Sequence, residues 1–303
     1  MSSQPRETQC AVIGLGVMGA ALARALLKAD YPVTVWNRSA DKCAPLVELG
    51  AVEAESLNSA IESAELIITC VKSPTVTWEL LDTDGVGDAV SGRTLVELAT
   101  GDPRVRIEIA EWAQANNAEY LGGTIEVFPS MIGTPDGSIE VWGSETAFQR
   151  YEDALKAFGA VRYSGDDVRA EEVLQAAGTT LLNTVFNCVF EACACAAANG
   201  VDLSRLGPKL GPINEAAFIG AMMSVDNIVA GNRPEIAAEA AITTWEANLA
   251  PVVDANRADG LEPRIAEACL ANLREAIATG LGDRDIDAVF DVYSRHAQTA
   301  QRH

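Results

Sequence analysis

Residues 9–19 read Gln9-Cys10-Ala11-Val12-Ile13-Gly14-Leu15-Gly16-Val17-Met18-Gly19. An apolar run that ends in glycines suits a buried parallel strand. The segment 17–29 then carries Met18, Ala21, Leu22, Ala25 and Leu26 at helical spacing. The join is a Gly-x-Gly-x-x-Gly run between a strand and a helix. Gly14 permits the tight turn, Gly16 lets backbone approach a pyrophosphate, and Gly19 allows close helix–strand packing. The helix start offers N–H donors and the positive end of its dipole to an anion. The turn, with Leu15, Val17 and Met18, is therefore expected to bind a dinucleotide. The plainer alternative is a structural glycine-rich turn.

The end of the next strand, Val33-Thr-Val-Trp36, selects the dinucleotide. An NAD site places Asp or Glu there, about 20 residues on, to hold the ribose 2′-hydroxyl. Here the residues are Asn37-Arg38-Ser39, followed by Lys42, and no carboxylate comes before Asp41. Arg38 can stack on adenine and pair with a 2′-phosphate, while Ser39 and Lys42 add donors. The expected cofactor is NADPH, with Asn37 in the same site; the alternative is a solvated turn. Val71 and Lys72, after a strand at 66–70, are expected to line the cofactor on the carboxyl side of the sheet. Thr100, after a strand at 94–98, is placed near the nicotinamide.

Helical stretches at 41–49 and 104–117 separate these strands, which argues for a doubly wound parallel sheet. Residues 127–141 are broken by Pro129, Gly133, Pro135 and Gly137 into loop and short strand. Beyond Tyr163 the texture changes. Residues 168–199 form an apolar helix of roughly 30 residues, long for a globular protein, that ends at Gly200. Further helices are expected at 202–207, 213–229, 234–255, 262–278 and 284–298. The fold class is an α/β N-terminal Rossmann domain, 8–164, and an all-α substrate and dimerisation domain, 165–303, joined by the long helix. A helix apolar around most of its circumference needs cover on all sides, so an intertwined homodimer is expected.

The chain has 303 residues, with Lys+Arg 22 against Asp+Glu 43 and a formal charge of -21. A surface this acidic repels nucleic-acid backbones and anionic membranes. The 7 cysteines are odd in number and contain no Cys-x-x-Cys pair, which reads as reduced thiols rather than a disulfide framework. The 2 histidines, His296 and His303, lie at the C-terminal end, so no metal site and no His-based triad is expected. The start of the chain shows no apolar signal region, and no run is read as reaching the ~18 apolar residues of a bilayer span. A cytoplasmic protein is expected.

The start Val12-Ile-Gly-Leu-Gly-Val-Met-Gly19, with Val35-Trp-Asn-Arg-Ser39, resembles the β-hydroxyacid dehydrogenase superfamily. Within it, Tyr120-Leu-Gly-Gly-Thr-Ile-Glu-Val-Phe-Pro-Ser-Met-Ile-Gly-Thr-Pro135, Gly143-Ser-Glu-Thr-Ala-Phe148 and Gly282-Asp-Arg-Asp-Ile286 resemble imine reductases and reductive aminases. The resemblance runs over nearly the full length, and Pro129-Ser-Met-Ile-Gly-Thr134 is its most specific part. It implies hydride transfer from NADPH to imines or iminium ions, or to imines made from a ketone and an amine. It also implies an intertwined dimer with shared active-site clefts.

Counted back from Gly200-Val-Asp202, the family's catalytic position on the long helix is Gln175. Hydroxyacid dehydrogenases of the superfamily have Lys there, and imine reductases usually have Asp or Tyr. An amide orients a substrate but is no general acid. Glu97 stands where the family commonly has Asn, and Glu126 where it commonly has Met. Gln175, Thr179 and Asn183 form a polar stripe at four-residue spacing. The expected mechanism has Glu126, helped by Glu97, holding an iminium or amine that Gln175 and Asn183 orient. Trp245 and Met223 are expected to close the cleft; the plainer alternative for Met223 is core. The bland alternatives are satisfied amides along the stripe and surface carboxylates at 97 and 126. Two rival functions are a β-hydroxyacid or glyoxylate-type reductase and an NADPH-binding regulator without turnover.

Overall fold

The computed structural model describes residues 6–231, 233 and 239–300. The chain divides into two compact units, Met1–Thr179 and Thr180–His303. The first unit contains, in order, β1 (Cys10–Ile13), α1 (Val17–Lys28), β2 (Val33–Trp36), α2 (Ala44–Val47), β3 (Val52–Glu53), α3 (Leu57–Glu62), β4 (Leu66–Thr69), α4 (Pro74–Leu81), α5 (Val86–Val90) and β5 (Thr94–Glu97). It continues with α6 (Pro103–Ala115), β6 (Glu119–Ile125), β7 (Ser138–Gly143), α7 (Glu145–Leu155), β8 (Ala160–Tyr163) and the start of α8 (Val168–Ala198).

The strands form one sheet in the order β3-β2-β1-β4-β5-β6-β7-β8. Every neighbouring pair is parallel except β6 and β7. β1 and β4 are buried along their whole length, which is why they read as unbroken apolar runs. One face packs Val12, Ile68, Val96 and Leu121 against Leu22 and Leu26 of α1. The other packs Ile13, Ile67 and Leu95 against Leu57 and Ile61 of α3, Leu80 of α4 and Ile109 of α6. Ile13, Thr69, Glu97 and Gly122 are successive cross-strand partners. They form a row across the sheet, just below the loops at its carboxyl end.

β3, β6 and β8 were not expected as strands. β6 carries Gly122 and Gly123, residues that strands ordinarily disfavour. The structure explains them. A Cβ on Gly122 would lie on the Trp142 indole nitrogen and 2.7 Å from Glu172 Oε1. One on Gly123 would lie 2.8 Å from Leu98 Cδ2. The 127–141 stretch holds a 3-10 turn at Pro129–Met131 and the start of β7.

The second unit holds the rest of α8, then α9 (Leu206–Ala230), α10 (Ile242–Ala258), α11 (Arg264–Ala278) and α12 (Phe290–Ala300). The expected break between 202–207 and 213–229 is absent. A 3-10 turn at Leu203–Arg205 leads into α9, which runs through Pro212. Pro212 has no N–H to give the Pro208 carbonyl, so one backbone bond is lost inside the helix. The helix expected over 234–255 begins at Ile242 among the described residues; 234–238 lie outside them. Glu191 of α8 accepts the Ile265 and Ala266 N–H groups at 2.9 and 3.1 Å and so caps α11. Gly200, at φ 66°, follows the end of α8.

α8 corrects the expectation about spanning runs. It has 31 residues, and its most apolar window has a hydropathy of 1.5, long and apolar enough to cross a membrane by length and composition. Only 6% of that window is buried within the chain. Residues 173–190 hold no Asp, Glu, Lys or Arg, but amides and hydroxyls interrupt them, so they do not read as one apolar run.

Gly122→Ala should destabilise the protein by about 1–3 kcal/mol, the usual cost of overpacking a tight site. Gly207→Ala is the control, a glycine with no neighbour within 4 Å and no left-handed φ. Thermal unfolding compares the two, and an unchanged midpoint for Gly122→Ala would show that the site has room.

Candidate active site

The carboxyl end of the first unit's sheet gathers the glycine turn, the end of β2 and the loops after β4 and β5. Gly14 adopts φ 93°, a left-handed conformation that favours glycine. A Cβ there would meet Cys70 O and Val71 Cγ1, both at 2.6 Å, and one on Gly19 would collide with the Gly14 carbonyl. Gly16 differs: nothing lies within 4 Å of its Cβ position. It N-caps α1 without a side-chain cap, and no acidic residue stands in that helix's first turn. Close packing at Gly14 and Gly19 with open space at Gly16 fits a pyrophosphate seated on the helix start.

Asn37 bonds to the chain on both sides of its amide. Its Oδ1 accepts the Leu15 N–H at 2.9 Å and its Nδ2 donates to Ser39 O at 2.9 Å. It ties the end of β2 to the glycine turn. Beside it is a cavity of about 870 Å³ lined by Trp36, Asn37, Arg38, Glu53, Glu55 and Asp84, among others. Arg38 reaches Glu79 of α4 at 3.8 Å, with most of its side chain exposed. Ser39 and Lys42 are exposed nearby but do not line the cavity. Arg38 is thus the one cation among the residues that line the cavity, beside Glu53, Glu55 and Asp84.

Val71 packs on Gly14, whereas Lys72 is exposed. Ser73 caps α4 by accepting the Val76 N–H at 3.4 Å. A Cβ on Gly101 would sit 2.5 Å from Pro74 Cδ, so the loops after β4 and β5 touch. Thr100, exposed, stands on the second of them.

The two glutamates are not brought together. Glu97 is fully buried in the cross-strand row. Thr69 Oγ1 donates a short hydrogen bond to it, and Thr77 Oγ1 of α4 lies 3.1 Å from Oε2. Burial pushes its carboxyl up from 4.5 to about 7, against the pull of Arg106 and the threonine hydroxyls. Glu126 lies past the end of β6 on the surface side. Its carboxylate takes Arg162 at 2.9 Å and Ser138 at 2.7 Å, and Arg162 also pairs with Glu140 at 2.8 Å. The expectation that Glu126 and Glu97 act jointly on a substrate is therefore corrected. One is a buried structural carboxyl and the other is engaged in an ion-paired strand contact.

On α8, half-buried Gln175 donates from Nε2 to Thr179 Oγ1 at 3.1 Å. Thr179 closes the first unit; Asn183 belongs to the second, where its carbonyl accepts from Asn187 Nδ2 at 2.8 Å. Met223 of α9 is exposed. Trp245 of α10 borders an apolar cavity of about 560 Å³ with Leu249, Cys269, Leu273 and Tyr293.

Sequence reasoning missed a buried polar group in the first unit. Arg106 of α6 lies 2.8 Å from Glu172 of α8, both fully buried. Its other nitrogens donate to Ala99 O, Glu97 O and Gly123 O at 2.8, 3.0 and 3.1 Å. Glu172 Oε1 also receives Trp142 Nε1 at 2.9 Å and the Tyr120 hydroxyl at 3.3 Å. The guanidinium lies 5.2 Å from the Trp142 ring centroid. Burial pushes the Glu172 carboxyl up, while these donors pull it back. The signal available was an arginine sharing the face of α6 that carries Ile109 and Ala113.

Residues 9–180 match the NAD-binding domain of 6-phosphogluconate dehydrogenase. The chain belongs to that family. An NADPH-dependent reductive aminase of Aspergillus oryzae is 28% identical over 93% of this chain and 96% of its own. A glyoxylate/succinic semialdehyde reductase of Arabidopsis thaliana is 23% identical over 92% of this chain and 96% of its own. Among solved structures, an imine reductase from Pseudomonas sp. superposes with a TM-score of 0.87 at 28% identity, covering 94% of this chain and 99% of that one. A reductive aminase from Aspergillus terreus, in complex with NADPH4, cyclohexanone and allyl amine, gives 0.86 at 27% identity, covering 95% and 100%.

The raised value at Glu97 sets a pH dependence of stability. Between 4.5 and about 7 the native carboxyl holds a proton that the unfolded chain has released. Its stabilising contribution is complete below that window and is lost as pH rises through it, by about 3 kcal/mol in all. Denaturant titrations across the window should show this fall in the wild type and a flatter profile in Glu97→Gln. Parallel profiles would contradict the assignment.

Proposed function

We propose that the protein is an NADPH-dependent oxidoreductase that reduces C=N bonds in imines and iminium ions, including those formed from a ketone and an amine. The observation that carries this reading is Gln175, a non-ionising side chain hydrogen-bonded to Thr179 on the helix where an acid or base is expected. Oxidation of a hydroxy acid requires a base for the alcohol proton, and an amide is not one. Reduction of a preformed iminium requires no proton at nitrogen. The amine relatives, the imine reductase likeness and the open Gly16 cradle support the same reading.

Bound NADPH supplies the hydride. The backbone at Gly14–Gly19 holds its pyrophosphate and Arg38 its 2′-phosphate. Because Gln175 Nε2 is committed to Thr179, its Oε1 is left to accept an N–H from an iminium and to orient it. The acidic chain favours a cationic substrate over an anionic one. Thr179, Asn183, Trp245 and Met223 belong to this proposal as substrate-lining groups.

The homodimer is part of the proposal. α8 exposes Leu181, Leu182, Val185, Phe186 and Phe190, and α9 exposes Ile213, Phe218, Ile219 and Met222. Apolar faces this extensive mark contact surfaces, and a second copy of the chain would cover them. The 7 cysteines carry no disulfide, which suits a reducing compartment and hence a cytoplasmic location.

Purified protein should oxidise NADPH in the presence of cyclic imines, N-alkyl iminium salts and cyclohexanone–amine mixtures, and not with glyoxylate. Turnover of the permanently cationic salts should hold at alkaline pH, where neutral imines fade. Gln175→Ala should lower kcat/KM for these substrates about tenfold, the scale of one lost orienting contact. Oxidation with glyoxylate alone would establish the hydroxyacid reading, and saturable binding without oxidation the regulator.

Light scattering without detergent should give twice the chain mass of 32.0 kDa. A monomer, or a requirement for detergent, would contradict the dimer.

A further inference from the structure

We infer that Arg106 and Glu172 form a positioning pair for the proposed hydride transfer, locking the first turns of α8 to the strand end that carries the nicotinamide-side loop. The inference rests on the proposed C=N reduction for its kinetic part only. Neither residue faces substrate, since both side chains are fully buried.

The geometry is that of a junction. The guanidinium donates to Glu97 O and Ala99 O, which bracket the end of β5, and the next residue is Thr100. It donates to Gly123 O, on the neighbouring strand β6. Its remaining edge meets Glu172, one helical turn before Gln175 on the same flank of α8. A single planar side chain thus spans two strand ends and a helix. The fork geometry of arginine permits this, and a lysine ammonium, a point donor on a flexible stem, cannot reproduce it. Tyr120, Trp142 and Gly122 complete the seat: two donors fix Glu172 Oε1 and the missing Cβ makes space for it.

The energetics favour position over stability. A buried ion pair repays its desolvation poorly, and a well-packed apolar pair often does as well for stability. What the charged pair adds is direction, because each hydrogen bond fixes an angle as well as a distance. A cofactor on the β5 side and a substrate group at Gln175 must meet at about 3–3.5 Å for hydride to pass, and small misplacements are costly in rate. With the pair in place, the β5 loop and Gln175 cannot drift independently.

Two variants test this. Arg106→Lys keeps a charge opposite Glu172 but loses the fork. The double variant Arg106→Met, Glu172→Met removes both charges and serves if the first does not fold. In a folded variant, kcat with a cyclic iminium should fall at least about tenfold, while the NADPH Kd measured by fluorescence stays within about twofold. Hydrogen exchange should lose protection at residues 98–101 and 172–176 together, a response that a purely local structural role would not give. Wild-type kcat with unchanged exchange at both segments would overturn the inference. If the wild type turns over no imine, the proposed function fails, and the exchange measurement alone decides whether the pair couples the two segments.

Discussion

The structure depends on one close approach. At the carboxyl ends of β1 and β4 the backbone of Gly14 presses against the Cys70 carbonyl, and Gly19 presses against Gly14. No side chain fits at either contact. The approach sets α1 directly above the strand ends and aims its first N–H groups at the space over Gly16. Asn37 reinforces it by tying β2 to the Leu15 N–H. The order of the central strands, the cavity at Arg38 and the meeting of the β4 and β5 loops at Pro74 and Gly101 are arranged around that turn.

Below the turn, polar groups replace apolar ones in the cross-strand row. Thr69 and Glu97 occupy positions that Ile67 and Leu95 fill one pleat earlier on the same face. Glu97 is held by hydroxyls and tends to keep its proton. Arg106 and Glu172 then carry the polar region from the sheet to α8. A buried charge demands a partner; here the two charges face each other, and backbone carbonyls, Tyr120 and Trp142 take up their other polar atoms. The catalytic end of the sheet is thereby stiffened by groups that touch no substrate.

The parts of the fold legible in the sequence were those governed by local patterning. β1, β2, β4 and β5 are short apolar runs with glycine or polar endings, and α1 and α8 show sustained helical spacing. β6 was hidden because Gly122 and Gly123 are chosen for what packs above them, a tertiary requirement that strand propensity does not encode. α9 was split in reading because Pro212 ordinarily ends a helix. In the glycine turn, Gly14 and Gly19 were legible because close backbone packing prescribes residue type. Glu126 misled: a carboxylate in a family motif looked functional, but Arg162, distant in sequence, pairs with it. Arg106 and Glu172 were invisible as a pair for the same reason, since two residues far apart in sequence are brought together only by the fold.

On the proposed function, the space over Gly16 receives the pyrophosphate of NADPH. Gly16→Ala tests it most directly, because φ is -64° and nothing lies within 4 Å of the added methyl, so the fold has no cause to change. Calorimetric titration should show tight NADPH uptake by the wild type and a loss of at least about tenfold in the variant at equal thermal stability. Equal affinity in the two proteins, or no uptake by folded wild type, would contradict the account.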